Sequence, residues 1–382
     1  RVRNLVDHYR AAGHQVSVAG VLGSEHYPSE DGFVPYPGRQ ALVKVLRNPD
    51  LLEDYAIQQL FSQDEVCYRQ LRQQIQVTPD IIHVEQPWLF EFARRAREQD
   101  FPHARLIYGS QNIEHLLKQK ILASCVGAQQ AVTAAEQIEQ LEIHTLSKAD
   151  AVICVSDTDA AWSTQYTDQP VVVAPNGVHS WQTTDAGRQQ ARQLMQPYSA
   201  YALYCASGHP PNTTGFFDLL GGGFGSLSPD EKLVIAGSVG DAISSDPRLH
   251  QSARLSERML ALGQIERPLL DALLDGAHCI IIPITQGGGT NLKTAEALWA
   301  GKHIVTTTLG MRGFERFIGS PGVFIADEPA AFKRALRHVM QLPPLQLTDH
   351  QTAERSSVLW QNCLQPLNAL IERLNNGTPN EH

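Results

Sequence analysis

The chain has 382 residues, 42% hydrophobic, 19% charged and 7% aromatic, which is apolar mass enough for one large core or two ordinary ones and too much for a disordered tail. Its net charge of −9 and sequence pI of about 5.9 exclude the basic field that binds nucleic acid nonspecifically, and they do not favour anionic membranes. No apolar run approaches the roughly 18 to 20 residues of a membrane span, the first residues carry no signal-peptide core, and Cys67, Cys125, Cys154, Cys205, Cys279 and Cys363 lack CxxC spacing, so free thiols in a reducing cytoplasm are expected.

In chain order, Val2, Leu5, Val6 and Tyr9 fall at helical spacing, and the residues from Gln15 to Val21 alternate as a strand. Residues 1–21 therefore read as the second and third elements of a β-α-β unit whose first strand is absent. Strands are predicted at Asp80–Val84, Arg105–Tyr108, Ala151–Val155 and Val171–Ala174, with helices at Leu89–Gln99 and Gln129–Lys148 between them. Strands alternating with helices make a parallel, doubly wound sheet. A polar stretch from Ser180 to Gln196 reads as a linker, after which a second α/β series runs through strands at Ala202–Ala206, Lys232–Ala236, Ala277–Ile284, His303–Thr307 and Val323–Ile325. One long helix is expected at about Glu354–Leu374, long enough to reach back to the first domain. The predicted organisation is a first Rossmann-like domain over 1–180, a second over 181–350, and a crossover helix and tail over 351–382.

The segment from His278 to Gly301, HCIIIPITQGGGTNLKTAEALWAG, carries the most chemistry. A buried strand runs into Gly287, Gly288 and Gly289, which let the backbone turn tightly against a ligand, and Thr290 or Asn291 stands where a helix cap is needed. The helix start presents unpaired N–H groups to an anion, and Lys293 in its first turn opposes the dipole unless an anion lies between them. Glu296, three residues on, shares the face and is able to accept from a ribose diol while the glycine turn and Lys293 hold a diphosphate. The bland alternative is a glycine-rich connection beside a solvated Lys/Glu pair.

Over nearly its whole length the sequence resembles the GT-B fold glycosyltransferases, in particular the retaining group numbered family 4. SQNIEHLLK at Ser110–Lys118 is similar to the HNxE-type segment of the acceptor side. ADAVICVSD at Ala149–Asp157 and VVVAPNGV at Val171–Val178 resemble the end of the first domain. CASGHPPNTTG at Cys205–Gly215 resembles the loop that faces the donor phosphates, GGGTNLKTAEALWAGKHIVTT the donor site, and SVLW at Ser357–Trp360 the crossover element. The resemblance implies two Rossmann-like domains facing across a cleft, a C-terminal helix crossing back, and transfer of a sugar from a nucleoside-diphosphate sugar to a hydroxyl acceptor. It assigns the donor to Ser207, Gly208, His209, Asn212, Gly287, Gly288, Gly289, Thr290, Asn291, Lys293 and Glu296, with Lys293 on phosphate and Glu296 on ribose.

Three departures stand out. Many members carry glutamates eight positions apart, and the position eight before Glu296 is Gly288, so a backbone N–H would take over a sugar contact. Gln111 stands where many relatives carry histidine; glutamine is no base, and front-face displacement would let the leaving diphosphate take the acceptor's proton. Ser207–Asn212 contains no arginine or lysine, which points to modest phosphate affinity.

Acceptor-side candidates are Glu85, Gln111, Asn112, Glu114 and His115, at strand ends where an α/β enzyme places its chemistry. Glu114 or His115 would orient the acceptor hydroxyl, and with Lys293 and Glu296 they form the candidate catalytic set. Each has a plain reading beside it: Glu114 as a dipole-complementing carboxylate, His115 as a satisfied surface histidine, Asn112 as a helix cap, Trp88 as core, Lys118 and Lys120 as a solvated face, His209 as a turn residue. Asn176 and Gly177 are expected to form a turn that affects closure. No His/Cys/Asp/Glu cluster has metal-ligand spacing, and Asp157-Thr-Asp159 lies at the end of a strand, so no metal and no cofactor beyond the nucleotide-sugar substrate are expected. Peripheral membrane contact finds no basic amphipathic face to support it. Two rivals share the fold, a nucleotide-sugar epimerase and a noncatalytic nucleotide-binding partner subunit. A nicotinamide dehydrogenase is disfavoured, because the glycine run is not GxGxxG after a domain's first strand.

Overall fold

The computed structural model describes residues 1–376 other than 47, 48, 50, 51, 222–224, 252, 288 and 289. Its contacts divide the chain into two units, Arg1–Pro175 joined by the chain from Leu364 onward, and Asn176–Cys363.

In the first unit, β1 (Gly20–Val21) pairs in parallel with β2 (Phe33–Val34), and β3 (Ile81–Glu85), β4 (Arg105–Ser110), β5 (Ala151–Cys154) and β6 (Val171–Val173) form a four-stranded parallel sheet in sequential order. Helices Phe90–Asp100 and Ala128–Lys148 occupy two of the crossovers. Val84, Leu106, Tyr108, Val152 and Cys154 pack with Phe90, Ala93 and Leu146 on one face of the sheet. The extended stretch expected from Gln15 forms a ladder only at its last two residues, because β2 offers just two partners. Helices Glu53–Gln63 and Glu65–Arg72 were not foreseen; they bury Ala56, Ile57, Leu60, Phe61 and Leu71 in a separate cluster with Val34 and Phe92.

The second unit is a six-stranded parallel sheet made of β7 (Ala200–Cys205), β8 (Glu231–Ala236), β9 (Met259–Gly263), β10 (Cys279–Ile282), β11 (His303–Thr306) and β12 (Val323–Ile325), in the order β12-β11-β10-β7-β8-β9. Alternation assigns the two faces. Leu203, Val234, Ile280, Ile282 and Ile304 point into one core, and Tyr204, Leu233, Ile235, Ile281 and Val305 into the other. This order reverses between β7 and β10, and in doubly wound sheets the crevice beyond the carboxyl ends at such a reversal is where ligands bind.

Two expectations are corrected. Ser180–Gln196 is not a bare linker: Thr184 caps a helix over Asp185–Met195, whose Ala191 enters the core and whose Gly187 lies so close to the Pro268 carbonyl that a Cβ would approach it to 2.3 Å. The single C-terminal helix is three, Asp349–Ser356, Trp360–Cys363 and Pro366–Asn376. The chain breaks because Val178 donates to the Val358 carbonyl and accepts from the Trp360 amide, both at 3.0 Å, and because Pro366 has no N–H to continue an earlier helix. Pro366–Asn376 buries Leu367, Leu370 and Ile371 within the first unit.

Candidate functional site

Around the reversal point, Cys205 closes β7 and the chain after β10 runs through Pro283 to Gly287 before the helix Leu292–Trp299. Gly287 adopts φ +128°, open to glycine and strained for other residues. Gly288 and Gly289, both assigned to the donor site, lie outside the described residues. Asn291 occupies the helix cap position and is buried, but its side chain caps nothing, contrary to expectation; its amide donates to the Arg312 carbonyl at 3.3 Å. Thr290 accepts instead from the Asn176 side-chain amide at 3.2 Å, tying the PNGV turn to the glycine turn.

Lys293 and Glu296 project from the first turns of this helix and are half-buried. Burial lowers the Lys293 ammonium from its ordinary value and raises the Glu296 carboxyl. The Cys205 thiol, pushed up to about 12 by burial and then by Glu296, and drawn down by Lys293 and Arg267, reports that all four groups share one neighbourhood. Among the described residues, Lys293 makes no hydrogen bond and no ion pair. Glu296 attracts it only through space, and a half-buried ammonium so placed is costly unless an anion joins it. The reading of a solvated Lys/Glu pair therefore does not describe this geometry.

Two arginines that sequence reasoning missed meet here. Arg267 Nη1 lies 3.3 Å from Glu296 Oε1, and Arg312 Nη1 donates to the Gly287 carbonyl at 2.8 Å. Arg267 opens the helix Arg267–Gly276 directly after β9, a strand absent from the predicted series. Had β9 been recognised, the rule that ligands gather at strand carboxyl ends would have marked it.

The loop after β7 offers less than expected. Ser207, Gly208 and His209 are exposed, but the Gly208 N–H is spent on Ser238 Oγ at 2.7 Å, the Asn212 N–H on the His209 carbonyl at 2.9 Å, and Pro210 and Pro211 have none. Asn212 is buried and donates to the Ser207 carbonyl and hydroxyl at 2.9 and 3.3 Å, so it shapes the loop.

In the first unit, Glu85 at the end of β3 faces Gly109 on β4. A Cβ at position 109 would come within 2.4 Å of Glu85 Oε1, so glycine makes room for the carboxylate. Glu85 receives Arg1 Nε at 3.1 Å and Gln111 Nε2 at 2.7 Å, and His83 Nε2 lies 3.0 Å away with its Nδ1 3.0 Å from the Tyr9 hydroxyl. Burial alone would raise this carboxyl, but His83, Arg1 and Gln111 outweigh it and hold it low. Gln86 next to it takes φ +66°, the one positive value outside glycine among the described residues.

Glu114 and His115, expected to face an acceptor, are buried. Glu142, 0% exposed, accepts from the Glu114 and His115 amides at 2.7 and 2.9 Å and from His115 Nδ1 at 2.7 Å. One carboxylate thus caps the helix Glu114–Val126 and fixes the histidine, whose ring lies 5.4 Å from Trp162. His115 is neither a surface residue nor displayed to a ligand. Asn112 is not the cap; its amide donates to Glu114 Oε1 at 3.3 Å. Burial raises Glu114 to about 7, with Asn112 opposing and Glu142 adding to the rise. Lys118 is not a solvated face either: it pairs with Asp54 at 2.7 Å and lies over the buried Trp88 ring at 5.5 Å. Among the described residues no three His, Cys, Asp or Glu side chains gather as metal ligands, and no helix is long and apolar enough to cross a membrane.

Two Rossmann-like units, each built on a parallel sheet, define an α/β protein of the GT-B type. Residues 1–181 match the model of Glycosyltransferase Family 4, and residues 223–341 match that of Glycosyl transferases group 1. The chain belongs to the GT-B glycosyltransferases. The fold is similar to sucrose-phosphate synthase from Thermosynechococcus elongatus (TM-score 0.68, 14% identity, 99% of this chain and 93% of that one). It is also similar to Anabaena Alr3699/HepE in complex with UDP (0.60, 14%, 95% and 100%) and to trehalose-6-phosphate from E. coli bound with UDP-2-fluoro glucose (0.57, 12%, 99% and 96%). No curated protein sequence matches the chain.

Proposed function

We propose that this glycosyltransferase moves a sugar from a nucleoside-diphosphate sugar to a hydroxyl acceptor with retention of configuration and without a metal ion. The observation that carries the donor assignment is Lys293, a half-buried ammonium with no partner among the described residues, in the first turn of a helix beyond the reversal point. Similar folds bound to UDP and to UDP-2-fluoro glucose support a nucleotide-sugar donor. Lys293, the first-turn amides and Arg312 meet the diphosphate, and Glu296 accepts from the ribose diol. The bond from the anomeric carbon to the diphosphate oxygen breaks as the bond to the acceptor oxygen forms on the same face. The acceptor's proton passes to the departing diphosphate oxygen, so the products are the glycoside and the nucleoside diphosphate. No protein base is required, which suits Gln111: an ionised Glu85 only accepts, so the Gln111 NH₂ faces it and the carbonyl is turned away as an acceptor for a hydroxyl.

The deciding experiment is thermal stability against UDP, GDP, ADP, TDP and their common sugars in EDTA, where a ligand at about 100 times its Kd stabilises by roughly 2.7 kcal/mol. A shift with one base that Lys293→Ala abolishes supports the donor site, and the anomeric configuration of the product then tests retention. A shift that Lys293→Ala leaves unchanged overturns the phosphate assignment, and binding without turnover points to the noncatalytic partner.

A further inference from the structure

Arg267 is held from three sides. Its Nε lies 2.7 Å from Asp271 Oδ1, its guanidinium sits 5.2 Å from the centre of the Trp181 ring, and its Nη1 reaches Glu296 Oε1 at 3.3 Å. Trp181 is itself braced edge-on by Trp299, with ring centroids 6.2 Å apart. Asp271 attracts the guanidinium by charge, without a hydrogen bond to Oδ1, and the Trp181 ring flanks it, so the arginine is held beside Glu296. The contact to Glu296 is long for a charge-assisted bond, for which about 2.7–2.9 Å is usual, and it engages one oxygen. Glu296 Oε2 has no partner among the described residues.

We infer that Arg267 is a positioning residue for Glu296: it pins Oε1 so that Oε2 and the remaining lone pairs are presented to the vicinal hydroxyls of the nucleotide ribose. The inference rests on the nucleotide-site reading above. The Arg267 side chain is 50% exposed, so its pair with Glu296 contributes little to folding and acts on the carboxylate instead. Here the pair joins the helix after β9 to the helix after β10, and Arg267 keeps the carboxylate an acceptor where burial works against its charge. The groups facing Glu296 are Arg267 and Asp271 from the helix Arg267–Gly276, Lys293 from its own helix and Cys205 from β7. Burial and Asp271 raise the Glu296 carboxyl, while Arg267 and Lys293 oppose them. Loss of Arg267 moves protonation of Glu296 to higher pH, and a protonated carboxyl offers fewer acceptor sites to a diol.

The test is titration of UDP, or whichever of UDP, GDP, ADP and TDP binds, by calorimetry from pH 5.5 to 8.5 with the full chain, Arg267→Met, Arg267→Lys, Glu296→Gln and the Arg267→Met/Glu296→Gln double variant. The expected result is that Arg267→Met weakens binding about 10-fold at pH 6 and only about 2-fold at pH 8.5, that Arg267→Lys restores part of it, and that Arg267→Met adds nothing in the Glu296→Gln background. A pH-independent loss of equal size in both backgrounds marks Arg267 as structural and overturns the inference, as does no loss at all. Glu296→Gln binding as tightly as the natural chain overturns the ribose reading itself, and no binding by any of the four overturns both.

Discussion

The side-chain amide of Gln111 donates to Glu85 Oε2 at 2.7 Å, and the carboxylate it meets is already held by Arg1 and lies against His83. Gln111→Glu places a second carboxyl at that distance, and two carboxylates so close do not both ionise. The variant is expected to lose about 1–3 kcal/mol of stability at pH 8. It should lose much less at pH 5, where one of the pair takes a proton. Melting curves at the two pH values check this, and equal losses at both would show that repulsion is not the cause.

Glu114 supplies a pH dependence of known sign. Its folded value of about 7 stands above the ordinary 4.5 because burial disfavours the charge. The folded state therefore binds a proton more tightly than the unfolded one. The stability this confers is complete below about pH 4.5 and is lost as pH rises through about 7, with an upper bound on the order of 3 kcal/mol. Glu114→Gln keeps an oxygen for the Asn112 amide and removes the charge. It should flatten that window and melt higher than the natural chain at pH 8; a variant that melts lower at pH 8 would contradict the sign.

Glu142 serves two backbone amides and the His115 ring with one buried carboxylate. Glu142→Ala leaves three buried donors without acceptors and a cavity beside them, so a loss of about 3 kcal/mol is expected. Hydrogen exchange localises it: the Glu114 and His115 amides should lose protection first, and protection unchanged there would mean that water replaces the carboxylate.

How legible the molecule was follows from the range of each interaction. The strands of both sheets stood out because a parallel sheet covered on both faces writes near-continuous apolar runs such as Cys279–Ile282. β9 hid because Met259–Gly263 is only half-buried and carries no β-branched residue. Lys293 and Glu296 were readable from a glycine turn followed by a helix, all local in sequence. Arg267, Arg312 and Glu142 were not, since each reaches its partner from another element: Arg267 and Glu296 are 29 positions apart, Glu142 and Glu114 are 28. For the same reason His115 read as an acceptor-side candidate with a surface histidine as the alternative; its burial depends on a helix that returns to it later in the chain.

Arg355 shows how a long-range contact supports the helix Leu292–Trp299 from its far end. Arg355 is 4% exposed and among the described residues pairs with no carboxylate; its guanidinium donates to the carbonyls of Leu298, Lys302 and Pro321, at 3.5, 3.1 and 2.7 Å. Burial lowers it to about 10, still charged at neutral pH. A cation at the carboxyl end of Leu292–Trp299 complements the dipole whose opposite end carries Lys293. Arg355→Met strips three carbonyls of donors, and at about 1 kcal/mol or more for each the loss should reach about 3 kcal/mol. For a unit of this size that is about 10 °C in Tm. Arg355→Lys, with three donors on one nitrogen that cannot span three carbonyls, should fall between. Nucleotide affinity should weaken less than stability, because the first turn keeps its geometry while the last turn frays. Calorimetry of the two variants with and without UDP separates these effects, and a Tm within about 1 °C of the natural chain for Arg355→Met would show that the three carbonyls find water instead.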